Sequence, residues 1–178
     1  QEQWVSIDSV VFRTSPRLSV LNDTQIEPEA QDITFKDSEI RSKILNNFVE
    51  ARVIPDLENS IPLGVGVRLY VGRTPETVYT NPIITTPNVG SDPFQAVAAP
   101  VDADGYSSGT ETVRREITLT AEDVVKFILE DDDTGSLYSG VRVTIPSTGE
   151  EVEVLGTDFI NIIAGLEVEL LLDKSLVE

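Results

Sequence analysis

At 178 residues, with a formal net charge of −18 and neither cysteine nor histidine, the chain fits one good-sized domain whose core needs no staples. The missing cysteines exclude a disulfide framework and a thiolate metal site. The missing histidines exclude Ser-His-Asp and Cys-His catalysis and leave zinc and copper without their usual ligand. So negative a chain repels nucleic acid and anionic lipid.

Lysine is scarce, four against nine arginines. An acidic, lysine-poor surface has three readings: plain solubility, divalent-cation binding, or adaptation to high salt. The absence of methionine gives the expectation that residue 1 is not a translation start and that the chain is a processed mature protein or a cut fragment, the removed part of which could have been a signal peptide or lipoprotein leader. The longest apolar tract, Phe159 to Leu172, is broken by Asn161, Glu167 and Glu169, so no stretch has the length of a membrane span.

In chain order, residues 4–12 alternate Val5, Ile7 and Val11 against Ser6, Asp8 and Val10, bracketed by Trp4 and Phe12, and form a first strand. Ser15-Pro16 breaks it, and Arg17 to Leu21 resumes it. Residues 25–32 are polar and loop-like. Asp37 caps a short helix with Ile40, Ile44 and Leu45 on one stripe, ending near Asn46-Asn47. Residues 49–72 carry the clearest pattern. Val49, Ala51 and Val53 alternate with Glu50 and Arg52. Val65, Val67, Leu69 and Val71 alternate with Gly66, Arg68 and Tyr70. This predicts two long strands joined by a tight turn at Glu58 to Pro62, a central hairpin.

Residues 73–93 are punctuated by Pro75, Pro82, Pro87 and Pro93, and only Ile83-Ile84 is strand-like. They cross between sheets or form a long surface loop. Phe94 to Val101 is a strand, turned by Asp102 to Gly105. Thr110 to Leu119 alternates again. Thr120 with Asp123 three residues on opens a short helix over Val124 to Leu129. Strands follow at Val141 to Ile145, at Glu151 to Leu155 and at Phe159 to Leu172, the last bent at Ala164-Gly165. The pattern predicts an all-β fold, a β-sandwich of jelly-roll or immunoglobulin-like packing with two short helices. Residues 48–178 make the main sandwich. Residues 1–47 supply N-terminal strands and a helix that stand apart or join it.

Four constellations could carry chemistry. Asp102 and Asp104, with Ser107 and Glu111, could gather oxygens for calcium, yet an EF-hand loop would need an acid where Val113 stands, and Asp-Gly turns explain the run as well. Glu130 with Asp131, Asp132 and Asp133 sits at a helix C-terminus, where a cation would relieve the dipole; a solvated loop is the alternative. Glu167 and Glu169 share a face, as a glycosidase pair does, but also as the wet face of a half-buried strand with Val168 and Leu170 on the dry one. Trp4, Val5, Ile7, Val11 and Phe12 could form a strand donated to a neighbouring subunit, or an ordinary edge strand.

The stretch Leu57 to Val65 with Leu69-Tyr70-Val71, the run Ile117 to Asp123, and Thr157 to Ile160 with Gly165-Leu166 together resemble β-sandwich modules of cell-envelope proteins of Bacteroidota and related bacteria. The resemblance spans residues 48–172 and implies an exported β-sandwich module, extracellular or in the cell envelope, with no active site to carry over. The expectation is a non-catalytic structural or adhesive module. Its partners are other protein chains, copies of itself among them, without nucleic acid or a membrane span. No cofactor is expected other than calcium at the acidic clusters. Two alternatives stay open: a filament subunit joined by strand exchange through residues 3–12, and a carbohydrate-binding or carboxylate-only hydrolytic domain built on Tyr70, Tyr79, Tyr106 and Tyr138.

Overall fold

The computed structural model describes residues 5–6, 18–19, 23–34, 46–88, 90–120, 122–123, 136–147, 151–152 and 154–171. The bodies of both expected helices, Trp4, Ile7, Val11 and Phe12, and Glu130 to Asp133 lie outside these residues. The described strands are β1 (Val5–Ser6), β2 (Leu18–Ser19), β3 (Thr24–Ile26), β4 (Gln31–Asp32), β5 (Phe48–Asn59), β6 (Val65–Gly72), β7 (Ile84–Thr86), β8 (Phe94–Ala96), β9 (Glu111–Arg114), β10 (Ile117–Leu119), β11 (Tyr138–Ile145), β12 (Glu151–Val152) and β13 (Ile160–Leu170).

They form an all-β sandwich. The first sheet runs β1-β13-β5, with β9 and β10 end to end along the far side of β5. The second has β3 and β4 end to end beside β11, then β6, then β7 and β8 end to end. A separate pair joins β12 to β2. Every pairing is antiparallel.

The expected central hairpin is not one. β5 and β6 belong to different sheets, so residues 60–64 form an arch that crosses the sandwich. Alternation alone cannot separate the two, because either way each strand turns one apolar row inward. The corner itself holds the signal: Ile61 and Leu63 are buried, whereas hairpin-turn residues face water.

That corner is tied from within. Asn59, 0% exposed, donates through its amide nitrogen to Leu63 O (2.7 Å) and Val97 O (2.8 Å), and its Oδ1 accepts from Ile61 N (3.0 Å). Ser60 joins the corner to the start of β13: its N–H donates to Phe159 O at 2.9 Å, and Phe159 N donates to Ser60 Oγ at 2.6 Å. The buried groups among these, Leu63 O and Ile61 N, would otherwise lack partners.

Pro55 sits mid-strand in β5, where a proline normally breaks a ladder. Its carbonyl accepts from Arg115 N at 3.0 Å, and residues 115–116 are the gap between β9 and β10. The carbonyl and the missing N–H of one strand residue point to the same side. The gap in the neighbouring strand therefore falls where Pro55 has no hydrogen to give.

Several local expectations shift. The polar run 25–32 contributes β3 and β4 to the edge of the second sheet, against the loop expected there. Thr24, Gln25 and Asp32 are exposed and only Ile26 and Gln31 half-buried, and a two- or three-residue edge strand needs no apolar row. The register of β13 runs unbroken through Ala164 and Gly165 and shifts instead between Glu169 and Leu170. Thr120 does cap as expected: its Oγ1 accepts from Asp123 N (3.1 Å) while Asp123 Oδ2 accepts from Thr120 N (3.2 Å).

The core has two halves. Around the arch, Leu57, Ile61, Val65, Val67, Val143, Ile160 and Ile162 are buried and tightly packed. At the other end Ala51, Ile84, Leu119 and Leu137 are buried, but Ile33, Val53, Val71, Leu166 and Val168 around them are only half-buried.

Candidate functional site

The outer face of the second sheet is not a plain wet face. Alternation places Gly66, Arg68, Tyr70 and Gly72 of β6 there, beside Tyr138, Gly140 and Arg142 of β11. Two loops lie directly on this face, and glycines make the room. A Cβ on Gly72 would stand 3.0 Å from Val78 Cα, one on Gly66 would stand 2.8 Å from Pro93 Cγ, and one on Gly140 would stand 2.8 Å from the Tyr79 ring. Segment 73–93, expected to cross between sheets or to run along the surface, thus returns to the same strand and covers its outer side.

Polar groups fix the cover. The Tyr79 hydroxyl donates to Pro28 O at 2.5 Å and accepts from Val141 N at 3.3 Å. Burial, the largest influence on it, pushes the Tyr79 phenol above its ordinary value. The Tyr79 ring meets Tyr70 edge to face, with centroids 5.6 Å apart. The Arg142 guanidinium lies 4.8 Å over the Tyr70 ring, and its Nε donates to Glu27 Oε1 at 2.6 Å. Arg68, directly across from Arg142, donates to Ser91 O in the second loop. Like charges opposite one another repel, and Glu27 offsets one of the two.

The tyrosines therefore do not form an exposed platform for a sugar. Tyr70 is 3% exposed, beneath Tyr79 and Arg142. Tyr106 lies on a different hairpin. That hairpin is closed by Asp102, whose Oδ1 accepts from Asp104 N (2.9 Å) and Tyr106 N (3.0 Å). Its far side is tied by Ser107, whose Oγ donates to the buried Asp158 at 2.6 Å; the other carboxylate oxygen of Asp158 accepts from Leu155 N at 2.8 Å. Asp102 and Asp104 thus sit in a turn, and among the described residues no three acids converge as a cation site would need.

Glu167 and Glu169 lie on the outer face of the first sheet, while Val168 and Leu170 pack against the core. Glu167 stands opposite Arg52 and Glu169 opposite Glu50. Arg52 is the hub of this face, 2.9 Å from Glu50 and 3.0 Å from Glu116. The hydrogen bond from Arg52 holds the Glu50 carboxyl below its usual range, and Glu50 in turn raises Arg52. β1 places Val5 opposite Leu166 and Ser6 opposite Gly165 in its own sheet.

Sequence reasoning missed the Tyr79–Arg142–Glu27 cluster and the roles of Asn59 and Asp158. Glycines inside strands, at 66, 72 and 140, were the available signal, since a strand glycine marks close approach of another segment.

No family model matches the sequence, and no curated protein matches it. Among solved structures the chain is similar to a Parabacteroides distasonis protein thought to be secreted, at 15% identity and a TM-score of 0.45, over 83% of this chain and 37% of that one. It is similar to the structure of Desmodium yellow mottle tymovirus at 10% identity and a TM-score of 0.31, over 98% of this chain and 92% of that one. It is also similar to infectious bursal disease virus Gx strain at 12% identity and a TM-score of 0.35, over 99% of this chain and 42% of that one. The chain thus spans little more than a third of the Parabacteroides protein. Parabacteroides belongs to the Bacteroidota, the group that the pattern of residues 48–172 resembles. Likenesses at these TM-scores transfer no activity, partner or location to this chain.

Proposed function

We propose that the chain is a non-catalytic β-sandwich module of an exported structural or adhesive protein, and that it meets its partners through the loop-covered face of the second sheet. The observation that carries this reading is the docking of both loops on strand glycines and their fixing by Tyr79, Arg142 and Arg68. Loops held on a rigid sheet are a common form of recognition surface, because little ordering entropy remains to be lost on binding.

The edges support contact through a face. Three of the four sheet edges among the described residues are interrupted, by Pro28 between β3 and β4, by Pro87 and Pro93 between β7 and β8, and by the gap at residues 115–116 between β9 and β10; the fourth is the two-residue β1 beside β13. Short, broken edges resist strand-to-strand joining. With Val5–Ser6 in its own sheet, they weigh against a filament built by strand exchange.

Light scattering should give a monomer over a wide salt range. A panel of esters and glycans should show no hydrolysis that depends on a carboxylate. Turnover that disappears on Glu167→Gln or Glu169→Gln would overturn the non-catalytic reading, and an open-ended polymer would revive strand exchange.

A further inference from the structure

A cavity of about 50 Å³ lies between the two sheets, in the less tightly packed half of the core. Val53 and Leu166 of the first sheet face Leu69 and Val71 of the second across it, and Ile33 and Leu119 also line it. Its wall is almost wholly apolar. By volume it could admit more than one water, since about 10–15 Å³ of such space holds one, but a buried water needs two to four polar partners. Among the lining side chains only Thr86 and Ser139 bring an inward hydroxyl, the lower end of that need, so water gains little by entering.

Its neighbourhood differs from the rest of the interior. Around the arch the facing residues are fully buried, with Val65, Val67 and Val143 each 0% exposed. At the cavity, Ile33, Val53, Val71 and Leu166 are only half-buried, so a small molecule meets a short path from the surface. Apolar space that stays dry takes apolar guests of matching size, xenon among them.

We propose that this inter-sheet cavity is a binding site for a small free apolar molecule of one to three heavy atoms. Packing against Val53, Leu69, Val71 and Leu166 would hold the guest, with no hydrogen bond required. The ligand class follows from volume and lining and does not depend on the role of the loop-covered face.

Xenon is the probe. Under xenon pressure, methyl carbon–proton spectra of the whole chain should show dose-dependent shifts at Val53, Leu69, Val71 and Leu166. Val67 and Val143, in the closed half, should stay still. Val71→Ile and, separately, Val53→Ile add one methylene to the cavity wall. Each should abolish the xenon shifts and keep or raise the melting temperature. Val67→Ile, made in the fully buried half of the core, should lower it. Absence of xenon shifts in the parent chain would overturn the proposal. So would shifts that persist in both filled variants, or filled variants that lose as much thermal stability as Val67→Ile.

Discussion

Asn59→Asp changes one atom of the arch and tests whether that corner is held as the structure shows. The carboxylate keeps the size of the amide and can still accept from Ile61 N. It loses both donors, so Leu63 O and Val97 O, 2.7 and 2.8 Å away, face an oxygen instead of N–H groups. A stranded buried carbonyl costs about 1–3 kcal/mol; Leu63 O bears that in full and the part-buried Val97 O only a share, so about 1–4 kcal/mol follows before charge is counted. The site is 0% exposed, so an ionised oxygen there adds to the loss. A domain of this kind has about 5–15 kcal/mol in all.

The variant has one escape. A protonated carboxyl can donate to one of the two carbonyls, so the folded state should raise the new group's pKa above its unfolded value. A raised pKa favours the folded state at low pH, and that contribution is lost as pH rises through the folded value. The deficit of the variant relative to the parent should therefore be largest at pH 7 and shrink towards pH 4. Urea unfolding followed by circular dichroism, on both proteins across that range, measures the difference. A deficit under about 1 kcal/mol at pH 7 with no pH dependence would refute the reasoning.

Gly140→Ala should cost about 1–3 kcal/mol, because its methyl meets the Tyr79 ring at 2.8 Å, and the cost should largely vanish in a Tyr79→Ala background when the double-mutant cycle is measured by urea unfolding. Tyr79 carries a raised pKa, so its contribution is intact below its ordinary value of 10.0 and fades as pH climbs past it; Tyr79→Phe should flatten the alkaline limb of a thermal-melt series. Glu50 is lowered by Arg52, so its contribution is present above 4.5 and disappears as pH falls below that; Glu50→Gln should reduce the acid sensitivity of the melting temperature. Asp102→Ala should weaken its hairpin by about 1 kcal/mol in chelator and in millimolar calcium alike, whereas a loss confined to calcium would make Asp102 a ligand.

The sandwich was legible because its long strands alternate strictly. The inward rows of β5, β6, β11 and β13 could each be read from period two. What alternation does not encode is which strand lies beside which, and this is why β5 and β6 looked like partners. The buried Ile61 and Leu63 were the clue, and Pro55 was a second, since it required a break in some neighbour. The loop-covered face was harder to read. Its signal was absence of side chains at Gly66, Gly72 and Gly140, and a glycine does not say which distant segment will lie on it. The short edges β3 and β4 carry no apolar row, so composition gave them no mark.

The arch also sets the order of assembly. Because β5 turns away from β6, its long partner is β13, about a hundred residues further along, with Asn59 meeting Ile160 and Phe48 meeting Leu170. Closing so wide a loop must come before the contacts that reward it, which places the chain among slow folders. A nascent chain that has not yet released residue 170 leaves one side of β5 bare and half of the core without a roof. Completion of the domain therefore waits on its last described strand, which brings Ile160, Ile162 and Ala164 into the core.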